Sequence, residues 1–166
     1  MPDVSTEVAI ATTTLGSAAA DITFSGISSA YTDLRVVLVN VGGTSGCRLQ
    51  FNSDTGSNYS TTNLSGDGNN AASARATNND RISLDYWGMS ATTPSMYTAD
   101  IFSYAGSTFK TVLGTAAEDY NGGASAGSAS VRVGLWRSTA AITTVKLFTV
   151  GTAFQAGTTA TLYGIL

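Results

Sequence analysis

The stretch YTDLRVVLVNV, Tyr31 to Val41, decides the fold class. Val36, Val37, Leu38 and Val39 are consecutive and apolar, so an extended chain here carries hydrophobic side chains on both of its faces. It reads as a central strand, or as one whose outer face is covered by a neighbouring subunit.

Working outward, short runs of β-branched and aromatic residues recur between Gly, Asn and Ser, and no window sustains an apolar helical repeat. The runs place strands near residues 8–15, 20–25, 33–41, 48–52, 81–87, 97–105, 111–119, 129–137, 143–150 and 160–166. Three alternate with period two: Ile22 and Phe24 against Thr23 and Ser25; Ile82, Leu84 and Tyr86 against Ser83 and Asp85; Val131, Val133 and Leu135 against Arg132 and Gly134. Such alternation predicts the apolar set in the core and the other set outside. Neither proline, Pro2 or Pro94, interrupts a proposed strand. The expectation is all-β: a two-sheet antiparallel β-sandwich, jelly-roll-like, of about ten short strands. Residues 1–166 are one domain, with residues 1–7 available as an extended arm.

Two segments read as long loops, 53–80 and 121–128, although Tyr59 to Leu64 can add a short strand to the first. Loops beyond about 12–15 residues usually serve binding, so the first is where function is expected. It opens as FNSDTGSNYS, Phe51 to Ser60. Asp54 and Asn58 can bond their own backbone and Gly56 can take positive φ, which predicts a stapled corner before Tyr59 returns to the sandwich.

Charged residues are 11% of the chain and hydrophobic residues 43%, a balance that excludes intrinsic disorder. The net charge is -3 and the eight basic residues are scattered singly, so no nucleic-acid partner is expected. No run approaches the roughly 20 apolar residues of a membrane span. Asp3 and Glu7 precede any apolar run, the wrong order for a secretory signal. The single cysteine, Cys47, reads as a small buried hydrophobe.

The chain has no histidine, which removes Ser-His-Asp and Cys-His catalysis and His-ligated zinc. The one adjacent carboxylate pair, Glu118 and Asp119, points to opposite faces of a strand. No enzyme and no cofactor is expected. Asp54, Asn58, Asp67 and Asn69 offer the hard oxygens of a calcium loop, but without the glycine and glutamate of an EF-hand; polar turns without metal are the reading, and calcium the alternative. For a partner or glycan surface the candidate rings are Tyr59, Trp87 and Tyr120.

Three phrases carry a family resemblance: ISSAYTDLRVVLVNV from Ile27, FNSDTGSNYS from Phe51 and GTTATLYGIL from Gly157. Together they resemble a module of virion structural proteins of tailed bacteriophages, in which a YTDLRVVL-like strand leads to a strand ending near RFN-D-G-NY and the chain closes on Leu-Tyr-Gly-Ile. Residues 71–155 match in style only. The resemblance implies a β-sandwich made in the host cytoplasm and carried on the outer capsid surface of the virion. As a capsid decoration or cement protein it would bind the major capsid protein at subunit junctions, together with copies of itself as a dimer or trimer. The alternative is a tail or fibre-tip domain that binds a host glycan. No coiled-coil heptad or collagen-like stalk precedes Val8, and the low charge suits burial against other subunits, so decoration is the expectation.

Overall fold

The β-branched runs become strands throughout residues 6–42, 46–85, 93–123 and 126–166, the part of the chain that the structure, a computed structural model, describes. In chain order they are β1 (Glu7–Thr14), β2 (Asp21–Ser25), β3 (Asp33–Val41), β4 (Cys47–Phe51), β5 (Tyr59–Gly66) and β6 (Ala71–Asn79). There follow β7 (Ile82–Ser83), β8 (Pro94–Phe102), β9 (Lys110–Asp119), β10 (Gly127–Trp136), β11 (Thr144–Thr149) and β12 (Thr159–Ile165). No helix occurs among the described residues.

All pairings are antiparallel, in an eight-stranded sheet β1-β12-β3-β8-β9-β10-β5-β6 and a four-stranded sheet β2-β11-β4-β7. Without the hairpins β5–β6 and β9–β10, the sheets are β1-β12-β3-β8 and β2-β11-β4-β7. Renumbered, those eight strands read 1-8-3-6 and 2-7-4-5, the interleaved Greek keys of a jelly roll. Both hairpins add to the same side of one sheet, next to β8. The larger sheet therefore overhangs the smaller one beyond β7.

The strand Asp33–Val41 lies third from one edge of the larger sheet, between β12 and β8. Leu34, Val36 and Leu38 point into the core, where they meet Leu49, Leu147 and Leu162. Val39 and Val41 point outward and are about 40% exposed. Pro94 opens β8, where a missing N–H does least harm to the ladder.

Three expectations are corrected. The 53–80 loop is largely the hairpin β5–β6, closed by Asp67, whose Oδ1 accepts from the amides of Asn69 and Asn70. β6, AASARATNN, has almost no β-branched residues, and the ladder of β5 supplies what its own propensity lacks. The strand at 81–87 shrinks to Ile82–Ser83, and Asp85, expected outside, is buried at 8% exposure; residues 86 and 87 lie outside the described part.

The third correction concerns β10, whose faces are the reverse of the expected ones. Trp136 is 2% exposed and packs on Phe51 with ring centroids 5.5 Å apart. With the bulkiest ring inside, period two carries Gly134, Arg132 and Ser130 inward too, and turns Val131 and Val133 outward, nearly half exposed. Gly134 gives room to the opposite sheet: a Cβ there would stand 2.7 Å from Ile82 Cδ1.

Candidate functional site

The corner after β4 is built from side-chain caps. Asn52 and Ser53 both adopt positive φ, 51° and 56°, and the Asp54 amide donates to Phe51 O at 2.9 Å, a tight reversal that asparagine tolerates. Gly56, expected to supply the left-handed residue, does not; it leaves space beside Asp54 Oδ1 instead. Both Asp54 oxygens are engaged. Oδ1 accepts from the Gly56 amide at 2.8 Å, and Oδ2 accepts from Trp136 Nε1 at 2.7 Å and Asn58 Nδ2 at 2.9 Å. Burial works to raise this carboxyl, but the bonds from Trp136, Asn58 and Gly56 outweigh it and hold the group below its ordinary pKa.

This geometry separates the four calcium candidates. Asp54 and Asn58 precede β5, whereas Asp67 and Asn69 follow it at the hairpin tip. Eight strand residues at about 3.3 Å each hold the two turns roughly 25 Å apart. Among the described residues, no group of three or more acidic or sulfur ligands gathers around a common point.

The candidate rings are likewise dispersed. Tyr59 is wholly buried, stacked with Trp136 at 6.3 Å, and its hydroxyl donates to Phe51 O and Asp54 O. It is a core anchor and not a surface. Tyr120 is exposed beyond the end of β9. Trp87 lies outside the described residues. Cys47 is buried, as expected, and burial pushes its thiol pKa well up.

Two features that sequence reasoning did not single out are assembled instead. The first is a polar cavity of about 260 Å³ under the overhang, bordered by Arg48, Thr61, Asn63, Ser83, Asp85 and Arg132. Arg48 Nη1 donates to Asp85 Oδ1 at 2.6 Å, and Asp85 Oδ2 accepts from the Cys47 amide at 2.8 Å. Burial pushes the Asp85 carboxyl above its ordinary pKa, against the pull of Arg48 and Arg132. The signal in the sequence was the parity of Trp136, which puts Arg132 inside; across the ladder Arg132 faces Asn63 directly.

The second is the outward face of the larger sheet. Leu64, Val131 and Thr115 are successive cross-strand neighbours, as are Val133 with Leu113 and Val39 with Met96. Leu64 is 61% exposed and Met96 49%. A hollow of about 560 Å³ on this face lies between Leu64, Ala71, Thr115, Ala117, Ala129 and Val131. Toward β1 the face carries charge, where Arg35 pairs with Asp100 at 2.6 Å and Glu7 at 3.5 Å, and at the β6 edge Arg75 donates to Thr62 Oγ1 at 2.7 Å.

No family model and no curated protein matches the chain. Among solved structures, the galectin LEC-6 of Caenorhabditis elegans aligns over 93% of this chain and 95% of its own, at 13% identity and a TM-score of 0.36. The lectin CV2L of Chromobacterium violaceum, solved with alpha-methyl-fucoside, aligns over 69% and 94%, at 7% identity and a TM-score of 0.17. Scores this low establish no common topology, and nothing about a ligand passes from those lectins to this chain.

Proposed function

We propose that this chain is a virion structural protein of the capsid-decoration kind, which docks on major capsid protein through the outward face of its eight-stranded sheet. One observation carries the docking: Leu64, Leu113, Val131 and Val133 form a contiguous apolar patch across β5, β9 and β10, with no charged residue between them. Exposed apolar patches of this kind mark protein contacts; no ion stands among these four side chains, and Arg75 at the border donates to Thr62 Oγ1 at 2.7 Å. The virion context comes from the three sequence phrases. The glycan alternative has less to stand on, since Tyr59, one of its three rings, is in the core.

Co-sedimentation tests the reading. Purified protein mixed with phage heads lacking it should pellet saturably with them, and should ignore tails and host cell-wall glycan. Saturable binding to glycan with none to heads would replace decoration by adhesion.

A further inference from the structure

Each sheet ends in two edge strands, β1 and β6 in the larger, β2 and β7 in the smaller. Three of these edges are guarded against a further strand. β7 is 2 residues long, and β2 is 5 long and opens on Asp21, which pairs with Lys146 at 3.5 Å. β1 carries Glu7 and a bulge between Ala9 and Ala11. β6 has no such guard over Ala71–Ala76. That segment pairs with β5 in unbroken register, from Gly66 with Ala71 to Thr61 with Ala76, and the irregularity comes after it, where Asn78 has a φ of 55°. Every residue from Ser73 to Asn78 is exposed, because the overhang carries the strand clear of the smaller sheet.

The open side of β6 is a row of main-chain groups. The Asp67 amide closes the hairpin by donating to Asn70 O at 3.2 Å, and bonded and non-bonded pairs alternate from there. Ala72, Ala74 and Ala76 therefore turn their main-chain groups toward β5, and Ala71, Ser73 and Arg75 turn theirs off the sheet. Among the described residues, nothing bonds to those three. The one charged side chain of the strand, Arg75, reaches back to Thr62 Oγ1 on β5, away from the open edge. A row of this kind is met by an extended strand.

β6 of a second copy is the strand that fits. About a twofold axis normal to the sheet at Ser73, the serine meets its own copy and Ala71 meets Arg75, so each outward N–H finds a C=O. The two Arg75 residues then lie roughly 13 Å apart along the strands, beyond the Debye length at physiological salt. With the smaller sheets set back beneath the overhangs, no second layer has to match. We propose that two copies of this chain join β6 to β6, antiparallel about Ser73, so that their eight-stranded sheets continue into one. The axis leaves both outward faces on the same side. The contact goes beyond the docking reading and is independent of it, because it uses the main-chain edge and not the apolar patch.

Sedimentation of the full chain over roughly 1–200 μM tests it, since a contact this small is expected to have a micromolar Kd. The weight-average mass should rise toward twice that of one chain. Ser73→Pro removes the N–H at the axis, which β5 does not use, and proline is tolerated with its nitrogen on the free side of an edge strand. It should weaken dimerisation at least tenfold with the circular dichroism of the fold unchanged. Ser73→Lys sets two ammonium groups face to face across the axis, should weaken it as much, and decides alone if Ser73→Pro does not fold. Val131→Glu, on the apolar face, should dimerise as the wild type does, so loss of docking and loss of the dimer are separately read. The proposal is overturned if the chain stays monomeric throughout, if it forms trimers, if a folded Ser73 variant dimerises as tightly as the wild type, or if Val131→Glu abolishes the dimer.

Discussion

The ring of Tyr31 lies against Gly164, so closely that a Cβ on the glycine would stand 2.4 Å from two ring carbons. Beside it, the Thr32 amide donates to Ile165 O at 2.8 Å. Two phrases more than 130 residues apart, YTDL and LYGI, are thus halves of one contact between the entry to β3 and the end of β12. A ring needs a bare backbone to rest on, which gives a physical reason for the two to occur together.

Gly164→Ala should therefore destabilise the protein by about 1–3 kcal/mol, the usual range for overpacking. Tyr31→Ala in the same background should recover part of the loss, because it removes what the new methyl strikes. A double-mutant cycle by urea unfolding measures the coupling, and additive losses would mean the contact is not the cause.

Asp54 links the corner after β4 to the end of β10 through Trp136. Asp54→Ala leaves the indole N–H of a buried ring without an acceptor, a loss expected to cost about 1–3 kcal/mol. Its pH signature follows from the lowered carboxyl. A group whose folded pKa lies below its unfolded value of about 3.9 contributes stability above that value and loses it as pH falls through the folded one. Asp54→Asn should thus flatten the decline of stability below about pH 4. A slope equal to that of the wild type would assign the acid sensitivity to other carboxylates.

Arg48–Asp85 and Arg35–Asp100 are ion pairs of the same 2.6 Å length in very different surroundings. Asp85 is 8% exposed and also accepts from the Cys47 amide, whereas Arg35 is 41% exposed. Asp85→Ala abandons a buried guanidinium beside Arg132 and should cost about 3–5 kcal/mol. Asp100→Ala should cost less than about 1 kcal/mol. Equal losses in chemical denaturation would show that burial does not set the difference.

The sequence made the Asp33–Val41 strand legible to the residue, because its apolar run is bounded by Asp33 and by the glycines after Val41. The jelly-roll pairing was also within reach, since Ile22 and Phe24 alternate and the terminal strands are strongly β-branched. Two things were not. β6 has no propensity of its own and exists only because β5 presents a ladder to it. For β10, period two defines two faces without saying which is inside, and the decision is made by Trp136 meeting Phe51 and by Ile82 filling the space at Gly134. The buried arginine cavity is a direct result of that choice, as is the bare valine face opposite it.

That face gives the sharpest test of the docking reading. Val131 is 47% exposed at the centre of the patch, with Leu64 and Thr115 as its cross-strand neighbours. Val131→Glu should change the stability of the isolated protein by no more than about 0.5 kcal/mol, as surface substitutions do. In a complex it would bury an unpaired carboxylate, at a cost of several kcal/mol. At about 1.4 kcal/mol per decade, 3 kcal/mol is roughly a hundredfold loss of affinity for heads. Thr23→Glu, exposed on β2 of the smaller sheet, carries the same charge on the opposite side and should bind as the wild type does. If Thr23→Glu abolishes binding and Val131→Glu does not, the smaller sheet is the docking face and the valine patch has another use.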